Sequence, residues 1–140
     1  MKISNEYPPV WKDLDEAFHL TEKGMKPVIT YGDVIFNPFH LNLTPDLIEH
    51  EMVHGEQQSH NPVVAKLWYQ RYIADKDFRL EQETEAYAKQ YQTLCKQYKD
   101  RNKRARLLSQ LAGMLSGEMY GSIVTHSEAQ RLIRNQANVL

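Results

Sequence analysis

Apolar and polar positions alternate with two different periods along this chain, and the change of period divides it into elements. Over 10–20 the apolar residues Val10, Trp11, Leu14, Ala17 and Phe18 recur at helical spacing. His19 falls at the end of that segment, before Lys23-Gly24, in the place of a C-terminal cap. Val28-Ile29-Thr30-Tyr31 and Val34-Ile35-Phe36 are β-branched and aromatic runs on either side of Gly32-Asp33. They predict a β-hairpin over 28–36. After a connector carrying His40, Thr44-Pro45-Asp46 gives an N-cap, a proline at the first helical position and an early carboxylate. Leu43, Leu47, Ile48 and Val53 supply the packing face of that helix, and Asn61-Pro62 ends it.

From Pro62 onward the pattern is helical throughout. An aromatic-rich helix is expected over 63–73, with Trp68 and Tyr72 four apart on one packed face. Asp75-Lys76-Asp77 breaks it, and a long polar helix follows over 80–99 with Ala86, Tyr87, Tyr91, Leu94, Cys95 and Tyr98 as its inner stripe. The basic run 100–106 reads as a solvated face, 107–115 as another apolar helix, and Thr125-His126-Ser127-Glu128 as a capping box opening a last helix through Ile133. The expected architecture is mainly α (α+β): one helical domain over 1–140, with an N-terminal hairpin beside the helix that begins at Pro45.

Composition adds limits to this picture. A chain of 140 residues with 41% hydrophobic and 25% charged residues can bury a core without staples. Its net charge of −1 makes no electrostatic case for nucleic acid or an anionic membrane as partner. Cys95 is the only cysteine, so an internal disulfide and a cysteine-rich zinc site are both excluded. No apolar run is long enough to span a bilayer, and residues 1–9 carry no apolar stretch of leader type, which makes the cytoplasm the expected location.

The candidate chemistry lies in His50-Glu51-Met52-Val53-His54. Residues four apart on a helix stand one turn above each other, so both imidazoles leave the same face and can share one Zn²⁺. Glu51 follows the first histidine and can flank the metal without binding it, free to take a proton from water. A catalytic zinc site usually has three protein ligands, and two candidates compete for the third place. Glu83, with Ala86 and Tyr87 after it, resembles the E-x-x-A-(D/Y) helix that brings the third ligand in gluzincin metallopeptidases. His60 stands where the metzincin pattern H-E-x-x-H-x-x-G-x-x-H has its last histidine, but Gln57 replaces the glycine that lets the chain turn. With Gln57 the helix is expected to continue and carry His60 away, which favours Glu83.

The chain thus resembles small gluzincin-like zinc metallopeptidases, including compact ones of phages and prophages, over roughly 28–133. The resemblance implies His50, His54 and Glu83 as zinc ligands, Glu51 as general base and Tyr87 behind the ligands. It also points to Tyr120 or His126 as stabiliser of the oxyanion, with Tyr31 a weaker choice. The implied reaction is zinc-dependent peptide-bond hydrolysis, with a protein or peptide substrate docked along the edge of the 28–36 hairpin. The alternative is a zinc-stabilised binding or virion-assembly protein without turnover. That reading calls for a closed site with a fourth protein ligand, for which His40 and His60 are the candidates.

Overall fold

The computed structural model describes residues 1–139, and its element order is β1 (Lys2–Ser4), α1 (Trp11–Phe18), β2 (Ile29–Tyr31), β3 (Val34–Phe36), α2 (Pro45–Gln57), α3 (Pro62–Ala74), α4 (Lys76–Gln97), α5 (Arg101–Leu115), a 3-10 turn (Glu118–Tyr120) and α6 (His126–Val139). The fold is mainly helical, as the periodicity predicts, with a small three-stranded sheet. The hairpin forms with Tyr31 opposite Val34 and Ile29 opposite Phe36. Gly32 takes φ +63° at the first turn position, where an L side chain would be strained, and a Cβ there would lie 3.1 Å from the Pro62 nitrogen. β1 was not expected. It pairs in parallel with β3, so the order is β1-β3-β2 and β2 is left as the edge facing the helices.

Several helix boundaries differ from the expected ones, each through a cap. α2 does not continue to residue 60; it stops at Gln57, and the chain turns sharply through Ser59 and His60 at φ 53° and 49°. The turn that glycine would ease is therefore made by two non-glycine residues. Asn61 opens α3 rather than closing α2, its side chain accepting from the Val63 and Val64 amides. Asp75 caps α4 in the same way, and Asp100 caps α5, so the basic run forms the first turns of α5. Thr125 accepts the Glu128 amide at 3.1 Å, the capping-box bond, and α6 runs past Ile133 to Val139. Thr44 stands at the cap position of α2 without a side-chain bond.

α4 is the central helix, with α2, α3, α5 and α6 all packed against it. One buried stripe of it is Arg79, Gln82, Glu83, Ala86, Tyr87, Gln90 and Leu94, spaced by three and four, and Thr84 and Ala88 are buried as well. More than half of that stripe is polar. The buried face of α2 is polar as well, with His50, Glu51 and His54 inside while Leu47 and Ile48 are only half-buried. Two helices that press polar faces together in a core need a compensating interaction there. The apolar core surrounds this seam, with Leu14 and Phe18 of α1, Trp68, Tyr69 and Tyr72 of α3, and Leu108, Leu111, Leu115 and Ile133 of α5 and α6.

Candidate metal centre

His50, His54 and Glu83 meet in the seam between α2 and α4, all buried. Glu83 Oε1 is 3.2 Å from His54 Nε2 and 3.4 Å from His50 Nε2. A tetrahedral ion with bonds of about 2.05 Å has ligand–ligand edges of about 3.3 Å. The two measured separations fit that edge. Among the described residues no lysine or arginine lines the pocket around these atoms, so without a metal the only positive charge facing Glu83 there is what the imidazoles themselves can carry. The donor set therefore fits a divalent metal ion. His60 is not part of it: this side chain is exposed at the hairpin turn, with Nδ1 3.6 Å from Asp33 Oδ1. His40 is exposed in the connector.

The outer nitrogens of both imidazoles are fixed by carboxamides. His50 Nδ1 lies 3.0 Å from Gln90 Oε1, and the Gln90 amide nitrogen donates to Asp46 Oδ2 at 2.8 Å. His54 Nδ1 lies 2.8 Å from Gln57 Oε1, and Gln57 Nε2 donates to the Gln82 carbonyl at 3.1 Å. Because each amide nitrogen already faces an acceptor, each amide oxygen must face an imidazole. Each ring is thereby held with hydrogen on Nδ1 and with Nε2 turned to the centre, as a metal ligand requires. Tyr72 donates to the other oxygen of Glu83 at 2.6 Å, which fixes that carboxylate from behind.

Without a metal, burial alone would lower the pKa of His54, but the facing Glu83 carboxylate outweighs it and raises the imidazole above its usual range. Burial works against the Glu83 charge in turn, and the two imidazoles hold its carboxyl well below the ordinary value. Glu51 differs from Glu83. Burial dominates and pushes its carboxyl up, even though the neighbouring imidazoles pull it down. Thr30 Oγ1 donates to Glu51 Oε1 at 2.9 Å, while Glu51 Oε2 lies 3.8 Å from His50 Nε2, beside the cluster.

Tyr87 packs edge-on against the His50 ring, with centroids 4.4 Å apart, and its hydroxyl pairs with that of Tyr120 at 2.6 Å. Tyr120 thus reaches the site. His126 does not: it is exposed, with Nε2 2.9 Å from the Ser109 carbonyl, where it joins α6 to α5. The capping position that opens α6 keeps it on that surface. Tyr31 stacks on Tyr69 at 5.9 Å and lies outside the metal pocket. Trp68, expected as a packing residue, packs against the His54 ring at 5.5 Å and so also walls the site.

The hairpin edge is partly occupied. Gln58 is fully buried; its side chain accepts from Gly32 N at 2.7 Å and donates to the Thr30 carbonyl at 3.2 Å. Tyr69 also donates to that carbonyl. The amide of Gln58 bonds to β2 as a neighbouring strand would, which closes the edge from Thr30 to the turn. Next to this closed stretch a groove reaches His50 and Glu51 between residues 26–28 and helices α4 and α5.

Glu83 was legible through the resemblance that it makes with Ala86 and Tyr87 to an E-x-x-A-(D/Y) helix, whereas Gln57, Gln58, Gln90, Tyr72 and Thr30 carry no sequence signal of their role. Among the described residues no helix is long and apolar enough to cross a membrane. No protein-family model, curated protein or solved structure matches this chain.

Proposed function

We propose that this chain is a zinc-dependent peptidase of gluzincin-like plan, with Glu51 as its general base. The observation that carries the reading is the place of Glu51. It is buried beside three convergent ligands, tied at one oxygen by Thr30 and with the other oxygen left toward the cluster. His50, His54 and Glu83 would hold the ion, and two imidazoles with one carboxylate are a donor set that suits zinc with a fourth position open. When bound, zinc supplies Lewis acidity, lowering the pKa of water and polarising a carbonyl. A site that served structure alone would close with a fourth protein ligand, and the histidines able to supply one, His40 and His60, stand at the surface.

Glu51 takes a proton from the attacking water through Oε2 and returns it to the leaving amine. Its burial raises its proton affinity toward what that exchange needs, and Thr30 keeps the carboxylate from rotating away. The two hydroxyls of Tyr87 and Tyr120 share one hydrogen between their oxygens and keep a second to donate. Tyr120, on the wall of the pocket, offers that hydrogen to the developing oxyanion. The Glu51→Gln variant should bind zinc within a few-fold of the parent and lose hydrolysis by about a hundredfold or more. Undiminished hydrolysis by that variant, in a preparation free of other proteases, would end the proposed role.

A further inference from the structure

The shape of the metal pocket limits how a substrate can enter it. Of the residues lining the pocket, only Val28 and Met119 are half-exposed, and the rest are buried. Both also line the open groove, together with Pro27, His50, Glu51 and Tyr120. The pocket therefore has one mouth, and the groove leads to it. The rest of the wall includes the buried Leu14, Phe18 and Leu20 from the α1 region and Tyr69 and Tyr72 from α3, which offer no second opening. Along β2, the Gln58 amide closes the edge at Thr30 and Gly32, so the chain of a substrate has no backbone partner past that point.

Resting on the peptidase reading above, we infer that the site takes the free amino-terminal end of a peptide and releases one small residue. A substrate that enters a single-mouthed pocket can place only its end beyond the scissile bond. The free volume of the pocket, the place of the ion included, is about 60 Å³. An apolar cavity of about 150 Å³ holds one benzene ring, so a side chain the size of alanine or serine fits here and a phenyl ring does not. The charge of the lining selects which end enters. Glu51 and Glu83 lie on the wall with no lysine or arginine, while the cations of this region, Lys26 and Lys103, stand in the open groove. The nearest buried guanidinium, Arg79, lies behind Phe18 and Tyr72 and donates to the carbonyls of Tyr72, Ile73 and Tyr120. With zinc bound, its two charges are balanced by Glu51 and Glu83, so a terminal carboxylate would find no cation left to pair with, whereas a terminal amine finds the oxygens of these carboxylates as acceptors. Water adds to the carbonyl carbon of the first residue, the bond to the second nitrogen breaks, and that nitrogen takes the proton.

The test uses the full chain loaded with one zinc and four synthetic hexapeptides, read by mass spectrometry. One starts with a free alanine, one is its N-acetyl form, one is its C-terminal amide, and one starts with phenylalanine. Release of alanine from the free peptide and from the amide at rates within twofold is expected, with at least a tenfold loss on acetylation or with phenylalanine first. Cleavage of the acetylated peptide at an equal rate, cleavage several residues inward, or dependence on the free carboxylate would overturn the inference and leave the peptidase reading standing. If zinc-loaded protein cuts none of the four, the peptidase reading fails and the inference fails with it.

Discussion

Replacing Gln90 with leucine keeps the side-chain volume nearly the same but removes the acceptor of the His50 Nδ1 hydrogen and the donor to Asp46. In the metal-free variant the ring escapes the loss by moving its hydrogen to Nε2, where Glu83 Oε1 lies 3.4 Å away and accepts it. A metal needs that nitrogen bare, so binding forces the hydrogen back to Nδ1, now facing an aliphatic side chain. The penalty thus appears on binding rather than on folding. An unpaired buried donor costs about 1–3 kcal/mol, which is about a 5- to 150-fold weaker affinity. That range overlaps the effect of about 10- to 100-fold typical of residues that orient metal-bound histidines. Competition against a chromophoric zinc chelator measures it. Gln110→Leu is the control, because Gln110 lines the same groove without a hydrogen bond to either imidazole of the centre. Zinc affinity of Gln90→Leu within twofold of the parent, in a folded protein, would refute the argument that the carboxamides set the imidazole tautomers.

Other consequences follow from the same geometry. In the metal-free protein His54 donates from both nitrogens, with its pKa raised to about 9. The stabilisation it brings is complete below about pH 6.5 and is lost as pH rises through 9. A metal must displace that proton, so zinc affinity should climb about tenfold per pH unit between 7 and 8, with about one proton released per ion in calorimetry across buffers of different ionisation enthalpy. An affinity flat over that interval would count against the His54–Glu83 pair. Gln58→Leu leaves the buried Gly32 amide without its acceptor, while the Thr30 carbonyl keeps Tyr69. The expected cost is about 1–3 kcal/mol, a melting temperature lower by about 3–10 °C; an unchanged melting curve would show that the edge closure contributes nothing. Tyr72→Phe removes the bond to Glu83 Oε2 and should weaken zinc binding about tenfold with the helical circular dichroism unchanged. Equal affinity would leave Tyr72 as packing alone.

What the sequence revealed, and what it hid, follows from how each feature is encoded. The hairpin and the helical face of His50 and His54 depend on local periodicity, and both stand where the pattern puts them. Glu83 was reached through the resemblance of Glu83, Ala86 and Tyr87 to the E-x-x-A-(D/Y) helix, and the structure brings it to the two histidines. β1 escaped because Lys2-Ile3-Ser4 is too short to show a period and becomes a strand only beside β3. The first turns of α4 and α5 escaped because they are charged; Asp75 and Asp100 start those helices by capping rather than by an apolar stripe. The glutamines around the centre were hidden for a further reason. A carboxamide that orients an imidazole from 3.0 Å away on another helix has no spacing rule, so Gln90 looks like any polar residue until α2 and α4 are packed. His126 shows the opposite failure, since its proposed role came from resemblance while the chain uses it to bond α6 to α5.

The most direct test of the metal centre is the metal content and zinc affinity of the purified protein, measured beside Glu83→Ala and His60→Ala. One zinc per chain is expected in the parent and in His60→Ala, with affinity lost by about a hundredfold or more in Glu83→Ala. A parent that takes up no zinc at saturating concentration, or a site that survives without Glu83 and fails without His60, would contradict it.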